Sequence, residues 1–473
     1  MKKLYRIMLT PAVIISSLVA VSCAEDIVID RIDEGAYENV NSLIGSLRDA
    51  NTGDVSTIVE MFRDSYSTNV AFTLSRPPKA GVDVQVEYDA DYVAQYNREH
   101  GTDFLAWPKE RYSIQNGGRI VVAPDEKVSY SLGVEIARAD TTELIAEATY
   151  ILPLKAVATG GDVKVSESRC VYLLKNRSGD GTAMREPGEK ETFLYFEVND
   201  TNPLNALQFR MEDGRYLWNY VCLFAANINY DREKGEVYVF CNPQVQYILD
   251  HSEEILQPLR KRGIKVLLGL LGNHDESGLA QLSDLGAREF AMKLKAICDA
   301  YNLDGVNFDD EYSNYPDTGN PLFVNPSTQA GARLMFETKK IMPEKYVTTF
   351  QYGYMGGVDY VDGVAAGEWI DIAIANYGGR GRPYAGMTNA DCSGASIEMA
   401  RGGSISVGSA ETVKNSDYGY FMVFALWAAG KQGNQAQFNS MNNLAQGLYG
   451  TPLVKPEYYW PSTLSLEIKP LSW

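Results

Sequence analysis

The sequence predicts an α/β protein, a (β/α)8 barrel preceded by a small all-β sandwich, and three observations carry that expectation. From about residue 66 to 176 apolar residues recur with period 2, the pattern of strands with one buried face. After residue 190 strand-like apolar runs alternate with amphipathic helical stretches. Eight such runs fall within about 280 residues, which matches a (β/α)8 barrel in count and length.

In the first region, Val82, Val84, Val86 and Tyr88 alternate with polar residues, as do Val128, Tyr130, Leu132, Val134 and Ile136. Further strand-like runs occupy 119–123, 148–154 and 169–174, and one helical piece spans 91–100. Short strands with little helix predict a sandwich over 61–176. The stretch Tyr92-Val-Ala-Gln-Tyr-Asn-Arg-Glu-His-Gly-Thr-Asp, followed by Pro108 and Tyr112, resembles a domain of unknown function found N-terminal to glycan-degrading modules in surface lipoproteins. It carries no catalytic constellation and reads as a spacer, with weak glycan binding as the alternative. Residues 177–190 are rich in Gly and charge, the chemistry of a linker, so the two domains are expected to be separable.

The barrel is expected over 191–473, with strands at 193–198, 220–226, 264–271, 303–308, 346–350, 370–375, 404–408 and 420–427. Between the second and third, Val245, Ile248, Leu249, Ile255, Leu256 and Leu259 mark one helical face, with Gly263 as its stop. Between the third and fourth, Phe290, Leu294, Ile297, Cys298 and Tyr301 mark another. A doubly wound sheet is the competing α/β solution, but the first strand is not followed by a glycine-rich phosphate loop.

The chain has 473 residues, room for two or three domains, and is 45% hydrophobic and 22% charged, as globular proteins are. Its net charge of −18 repels phosphate backbones and argues against a nucleic-acid partner. Lys2, Lys3 and Arg6, an apolar stretch over 9–21 and then Ser22-Cys23 resemble a bacterial lipoprotein signal. That resemblance implies a signal peptide over 1–22, lipidation of Cys23, a tether over 23–60 and attachment to a membrane. Glu25 and Asp26 directly after the cysteine resemble a tag for the outer cell surface. Cys170, Cys222, Cys241, Cys298 and Cys392, an odd number in mostly apolar contexts, read as buried free thiols. The three histidines are scattered, so no zinc site is expected, and no metal or organic cofactor is implied. The oligomeric state stays open.

Chemistry concentrates on the fourth barrel strand, Leu303-Asp-Gly-Val-Asn-Phe-Asp-Asp-Glu-Tyr312. Side chains alternate along a strand, so Gly305, Asn307, Asp309 and Glu311 share one face and Val306 and Phe308 the other. The apolar face must meet the helices, which turns the polar row into the lumen with Glu311 at the mouth. A polar row in a lumen is costly unless it has a task. Asp309, a negative neighbour two residues below, should raise the proton affinity of Glu311 and fit it to donate a proton near neutral pH. Asp310 faces the other way, and no second carboxylate stands out as a nucleophile.

This strand resembles the Asp-x-x-Asp-x-Asp-x-Glu signature of glycoside hydrolase family 18, and within it the endo-β-N-acetylglucosaminidases. Phe224-Ala-Ala-Asn-Ile-Asn-Tyr-Asp231 and 264–274 resemble that group's second and third strands, and Asp309-Asp-Glu-Tyr312 is closer to it than to chitinases. The resemblance covers roughly 190–465. It implies hydrolysis of the GlcNAc-β1,4-GlcNAc core of N-linked glycans with substrate-assisted retention. Glu311 would then be the acid and base, and Asp309 would orient the substrate's 2-acetamido group, whose oxygen is the nucleophile. Tyr377, after the sixth strand at Asn376-Tyr377, would hold that oxygen. Trp427, closing the eighth strand, could floor a sugar subsite or close the barrel core. Gln351, Asn273 and Asn376 are further polar candidates for substrate binding at strand ends.

Asn307 departs from the signature, which has Asp there. Asn hydrogen-bonds but does not titrate, so Asp309 is expected to ionise more easily. The departure keeps one alternative open, a catalytically silent glycan-binding protein on the same barrel. The choice among high-mannose, hybrid and complex glycans is not legible in any motif.

Overall fold

The computed structural model describes residues 43–138, 144–158, 163–164, 168–313, 316–428 and 430–472. The expected signal peptide, Cys23 and the tether as far as residue 42 lie outside them.

Two sheets form the N-terminal sandwich. One runs Val163–Lys164, Leu43–Asp49, Ser65–Leu74, Leu132–Ala137, Tyr112–Ile114; the other runs Ser56–Met61, Arg169–Asn176, Thr149–Ala158, Val82–Tyr88, Arg119–Val122. Their facing residues, among them Leu47, Phe72, Val84, Ile120, Val134, Leu152 and Tyr172, make one apolar core. The helix Ala90–His100 lays Val93 and Tyr96 on the outer face of the second sheet, against Ile151, Val171 and Leu173. The tether expected to reach residue 60 is corrected here, because 43–49 and 56–61 are strands. The buried face of Leu43–Asp49 is Gly45, Leu47 and Asp49, so an apolar period could not show. Asp49 is tolerated inside because Thr68, Tyr172 and the Asn51 amide all donate to it.

In the barrel, Glu191–Glu197, Tyr220–Asp231, Lys265–Leu271, Gly305–Phe308, Tyr346–Gln351 and Ile372–Ala375 lie side by side in chain order. The eighth strand, Tyr420–Phe424, pairs with both the first and the seventh. Every one of these pairings is parallel. Between the sixth and seventh strands a single bridge, Ala373 to Cys392, nearly completes the ring.

The seventh strand is Ser393–Glu398, not 404–408 as expected. Its sequence, SGASIE, is small and polar, so it offers no apolar run. Residues 407 and 408 instead open the helix Val407–Lys414, capped by the Ser406 side chain. Other helices are Asp284–Ala300, Thr328–Ile341 and Gln435–Tyr449, and the predicted helix after the second strand is divided into Pro243–Asp250, Ser252–Ile255 and Gln257–Lys261. Among the described residues, the connection between strands five and six carries short 3-10 turns and a small hairpin, Tyr360–Val361 with Val364–Ala365, and that between six and seven a single 3-10 turn; neither carries an α-helix.

Outward side chains such as Leu223, Val306, Phe308, Val347 and Val423 pack under the helices. Inward ones, including Phe193, Tyr195, Tyr220, Cys222, Leu267, Phe350 and Met422, fill the lumen. Four of the five described cysteines are buried and Cys241 is half-buried; all are free thiols.

The stretch 177–190 is packed in place. Ala183 is fully buried in the barrel's core, and Arg185 donates to the carbonyls of Ala183, Tyr216 and Leu217. Glu60, Lys175 and Arg177 meet Arg260 and Asp304 of the barrel in a buried cluster. Burial pushes Asp304 up, but Arg260, Arg177 and Lys175 hold its carboxyl well below the ordinary range. The expected separability is therefore corrected: the two domains share an ionic interface closed to water.

Candidate active site

Strand four forms as its pattern dictates. Val306 and Phe308 are fully buried on the helix side, and Asn307 points into the lumen. Gly305 is required where it stands, because a Cβ there would lie 2.1 Å from the Tyr346 carbonyl oxygen. The regular strand ends at Phe308, and Asp309 and Glu311 follow where the chain bends into the mouth. Gly272 brings the loop after strand three close. Its amide donates to the Glu311 carbonyl at 2.9 Å, and a Cβ on it would lie 2.4 Å from that oxygen. Asp310 turns away and accepts from the Tyr354 amide at 3.0 Å, pinning the loop after strand five.

Asn307 is fully buried and donates to Thr348 Oγ1 at 2.8 Å. Its Oδ1, Asp309 Oδ1 and the hydroxyl of the neighbouring Tyr195 are buried without a well-aligned hydrogen bond in the protein. The Tyr195 hydroxyl and the Asn307 side chain lie within reach of each other, which leaves Asp309 Oδ1 as the buried acceptor without a partner just below Glu311, open to a donor that arrives from outside. Asp309 is 4% exposed. Burial first, then the charges of Glu311 and Asp310, push its carboxyl up to about 8. The expectation about charge is corrected on this point. Asp309, expected to ionise more easily beside Asn307, instead has a raised proton affinity, because desolvation outweighs the loss of charge at Asn307.

Tyr377 stands 40% exposed at the mouth, with ring centroids 5.5 Å from Phe350 and 5.6 Å from Phe424. Burial of its hydroxyl, and then the charges of Glu398, Asp309 and Glu311, raise its proton affinity, so it stays a neutral donor. Glu398, at the end of strand seven, is paired with Arg401 at 3.3 Å. Asn376 is exposed, and its Oδ1 accepts the Tyr377 amide at 2.7 Å. Gln351 uses both ends of its amide on the Arg382 backbone, which fixes the loop that carries Tyr377. Asn273 donates to Asn229 at 2.9 Å and ties the loop after strand three to the end of strand two.

Trp427 is not at the site. The eighth strand ends at Phe424, and Ala425 and Trp427 take positive φ, which swings the indole behind the barrel. There it is fully buried, 5.0 Å from the Phe209 ring, with its N–H on the Asn434 carbonyl. Its expected stacking on a sugar is thus corrected to a core position. The aromatic surface beneath the mouth is made instead by Tyr195, Phe224, Phe350 and Phe424, with neighbouring centroids 5.3–6.3 Å apart. In the sequence the alternations Phe193/Tyr195 and Tyr220/Cys222/Phe224 signal the first two of these rings; Phe350 and Phe424 sit in apolar runs that give no such signal. A cavity of about 1060 Å³ lies between sandwich and barrel and contains none of the site residues. The chemistry, not the volume, identifies the mouth. Among the described residues no group of His, Cys, Asp or Glu could hold a metal ion.

A family model for an N-terminal domain matches residues 37–163. The chain is 43% identical over 267 residues to endo-beta-N-acetylglucosaminidase F1 of Elizabethkingia meningoseptica, a match covering 55% of this chain and 79% of the relative. It is 30% identical over 239 residues to an endo-beta-N-acetylglucosaminidase of Flavobacterium sp. (strain SK1022), covering 50% and 74%. Among solved structures, Bacteroides thetaiotamicron EndoBT-3987 with a Man5GlcNAc product is similar with a TM-score of 0.84 at 43% identity, over 90% of this chain and 99% of that one. The same protein in complex with a Man9GlcNAc2Asn substrate gives 0.77 at 41%, over 90% and 98%.

Proposed function

This chain belongs to the endo-β-N-acetylglucosaminidases, which are glycoside hydrolases, and from that premise we propose that it cuts the GlcNAc-β1,4-GlcNAc core of N-linked glycans by substrate-assisted retention. The observation that carries the reading is the pair Asp309 and Glu311 at the lumen mouth beside Tyr377, with Asp309 Oδ1 buried and unpartnered. Glu311 gives its proton to the glycosidic oxygen as the bond to C1 breaks. The 2-acetamido oxygen attacks C1 and forms an oxazolinium. Asp309 in its ionised form accepts the acetamido N–H and faces the positive charge that develops on that nitrogen. Tyr377 donates to the acetamido oxygen. Water then attacks C1, Glu311 takes its proton, and the product keeps its β configuration.

Asn307 is the one departure that the silent-binder alternative rested on, and both carboxylates that the reaction needs, Asp309 and Glu311, are present, which favours the enzyme. The likeness over nearly the whole length of a relative crystallised with Man5GlcNAc and Man9GlcNAc2Asn supports oligomannose glycans as the substrate class. The test is release of glycan from a denatured oligomannose glycoprotein, read by mass spectrometry. A protein left one GlcNAc heavier than its bare form supports the reading, and an untouched glycan refutes it.

The reading includes a lipid anchor at Cys23 and a place on the outer cell surface, supported by the basic start, the apolar stretch and Ser22-Cys23. Loss of lipid labelling in Cys23→Ala, together with its release from the membrane, is the expected outcome.

A further inference from the structure

Asp304 is the first acid of the Asp-x-x-Asn-x-Asp-x-Glu run, and the chemistry above leaves it unused. It sits just before strand four, on the face opposite Asn307, Asp309 and Glu311, and is 1% exposed. Both its oxygens are engaged. Arg260 binds them at 3.0–3.2 Å, the Val266 amide of strand three donates at 2.9 Å, and Arg177 donates from the sandwich side. Lys175 stands 3.8 Å away. Arg177 and Lys175 are in turn held by Glu60 on a sandwich strand, and Glu147 joins both arginines. The main chain is fixed at the same point. The Asp304 amide bonds to Val266 O, its carbonyl accepts from the Tyr346 amide, and Lys345 donates to the Leu303 carbonyl, all at 2.9 Å.

We propose that Arg177, acting through Asp304, is a positioning residue for catalysis: the sandwich clamps the base of strand four and so sets the height at which Asp309 and Glu311 stand in the mouth. Only four residues of regular strand separate the clamp from Asp309. A strand buried on both faces transmits a shift at its base to its end, because close-packed interiors do not absorb displacement locally. Mispositioning by about 1 Å costs catalysis on the order of 10²-fold while leaving the sugar's remote contacts alone. The sandwich is then a part of the catalytic apparatus rather than a spacer.

The inference rests on Asp309 and Glu311 being the reacting pair, and the test separates the two. Full-length wild type, Arg177→Gln, Arg177→Lys and the charge-balanced double variant Glu60→Gln/Arg177→Gln are compared on one oligomannose glycopeptide, well below each unfolding midpoint. The expected result is a kcat lowered at least tenfold with KM within twofold in Arg177→Gln and in the double variant, and recovery to within threefold in Arg177→Lys. The double variant keeps buried charges in balance, so it reports even where the single variant fails to fold. A folded double variant with wild-type kcat overturns the inference, as does a fall in unfolding midpoint with kcat unmoved. Inactive wild type overturns the functional reading itself.

Discussion

The backbone amide of Glu311 donates to the carbonyl of Asp309 at 3.1 Å, so the chain has already bent where the two acids stand. That bend separates their environments. Asp309 is buried beside the Tyr195 and Asn307 side chains, whereas Glu311 is half-exposed to the mouth. One site thus holds two carboxyls in different settings, the usual route by which identical groups take different roles.

Glu311→Gln should abolish hydrolysis and leave glycan binding intact. Removal of a general acid costs ~10²–10⁴-fold in rate. Turnover of a glycopeptide and calorimetric binding to the same ligand check this. A variant with more than half the wild-type turnover would sink the assignment.

Asp309→Asn should slow hydrolysis of a glycoprotein yet still accept a pre-formed glycan oxazoline as donor, because that compound has passed the step Asp309 assists. A thiazoline analogue of the oxazolinium should inhibit the wild type. If hydrolysis and oxazoline use fell equally, Asp309 would be a general electrostatic residue. Covalent labelling of a protein carboxylate by a fluorosugar would refute substrate assistance altogether.

The same substitution should stabilise the fold at high pH. Asp309 titrates at 3.8 when unperturbed and at about 8 in the folded chain. Between those values the unfolded chain has lost the proton and the folded chain keeps it, so stability falls as pH rises through that window. Asp309→Asn escapes that loss. Each unit of displacement corresponds to about 1.4 kcal/mol, so the variant's advantage should exceed about 1 kcal/mol at pH 8 and vanish near pH 4. Denaturant midpoints of both proteins at the two pH values decide the matter; a gap independent of pH would mean that Asp309 is ionised throughout.

Trp427→Ala should cost about 3–5 kcal/mol of stability, the usual penalty for emptying a buried aromatic site. Trp427→Phe should leave KM within twofold. A raised KM at unchanged stability would restore the indole to the sugar site.

Much of this molecule is legible in its sequence because burial leaves a period. Seven of the eight barrel strands are apolar runs, and the alternation of Val306 and Phe308 with Asn307 gives the orientation of strand four. Elements without such a period stay hidden. Ser393–Glu398 packs small side chains, and Leu43–Asp49 buries a glycine and an aspartate. Trp427 fails for another reason. The eighth strand stops three residues earlier than its apolar run, and only the positive φ values show it. The charged stretch at 177–190 reads as solvated because the partners of Arg177 are distant in sequence, 117 residues away at Glu60 and 127 at Asp304.

The aromatic layer beneath Asp309 gives the reaction chamber a floor. Tyr195 is 2% and Phe350 3% exposed, and the rings of Phe224 and Phe424 close around Tyr195. On the proposed chemistry, the lumen side is closed and exchange has to take place across the mouth. The protein-bound GlcNAc has to back out before a water molecule can take its place, so departure and hydrolysis queue in a fixed order. The lifetime of the charged intermediate is set by how quickly the threshold clears, and any alcohol already waiting there competes with water for the sugar.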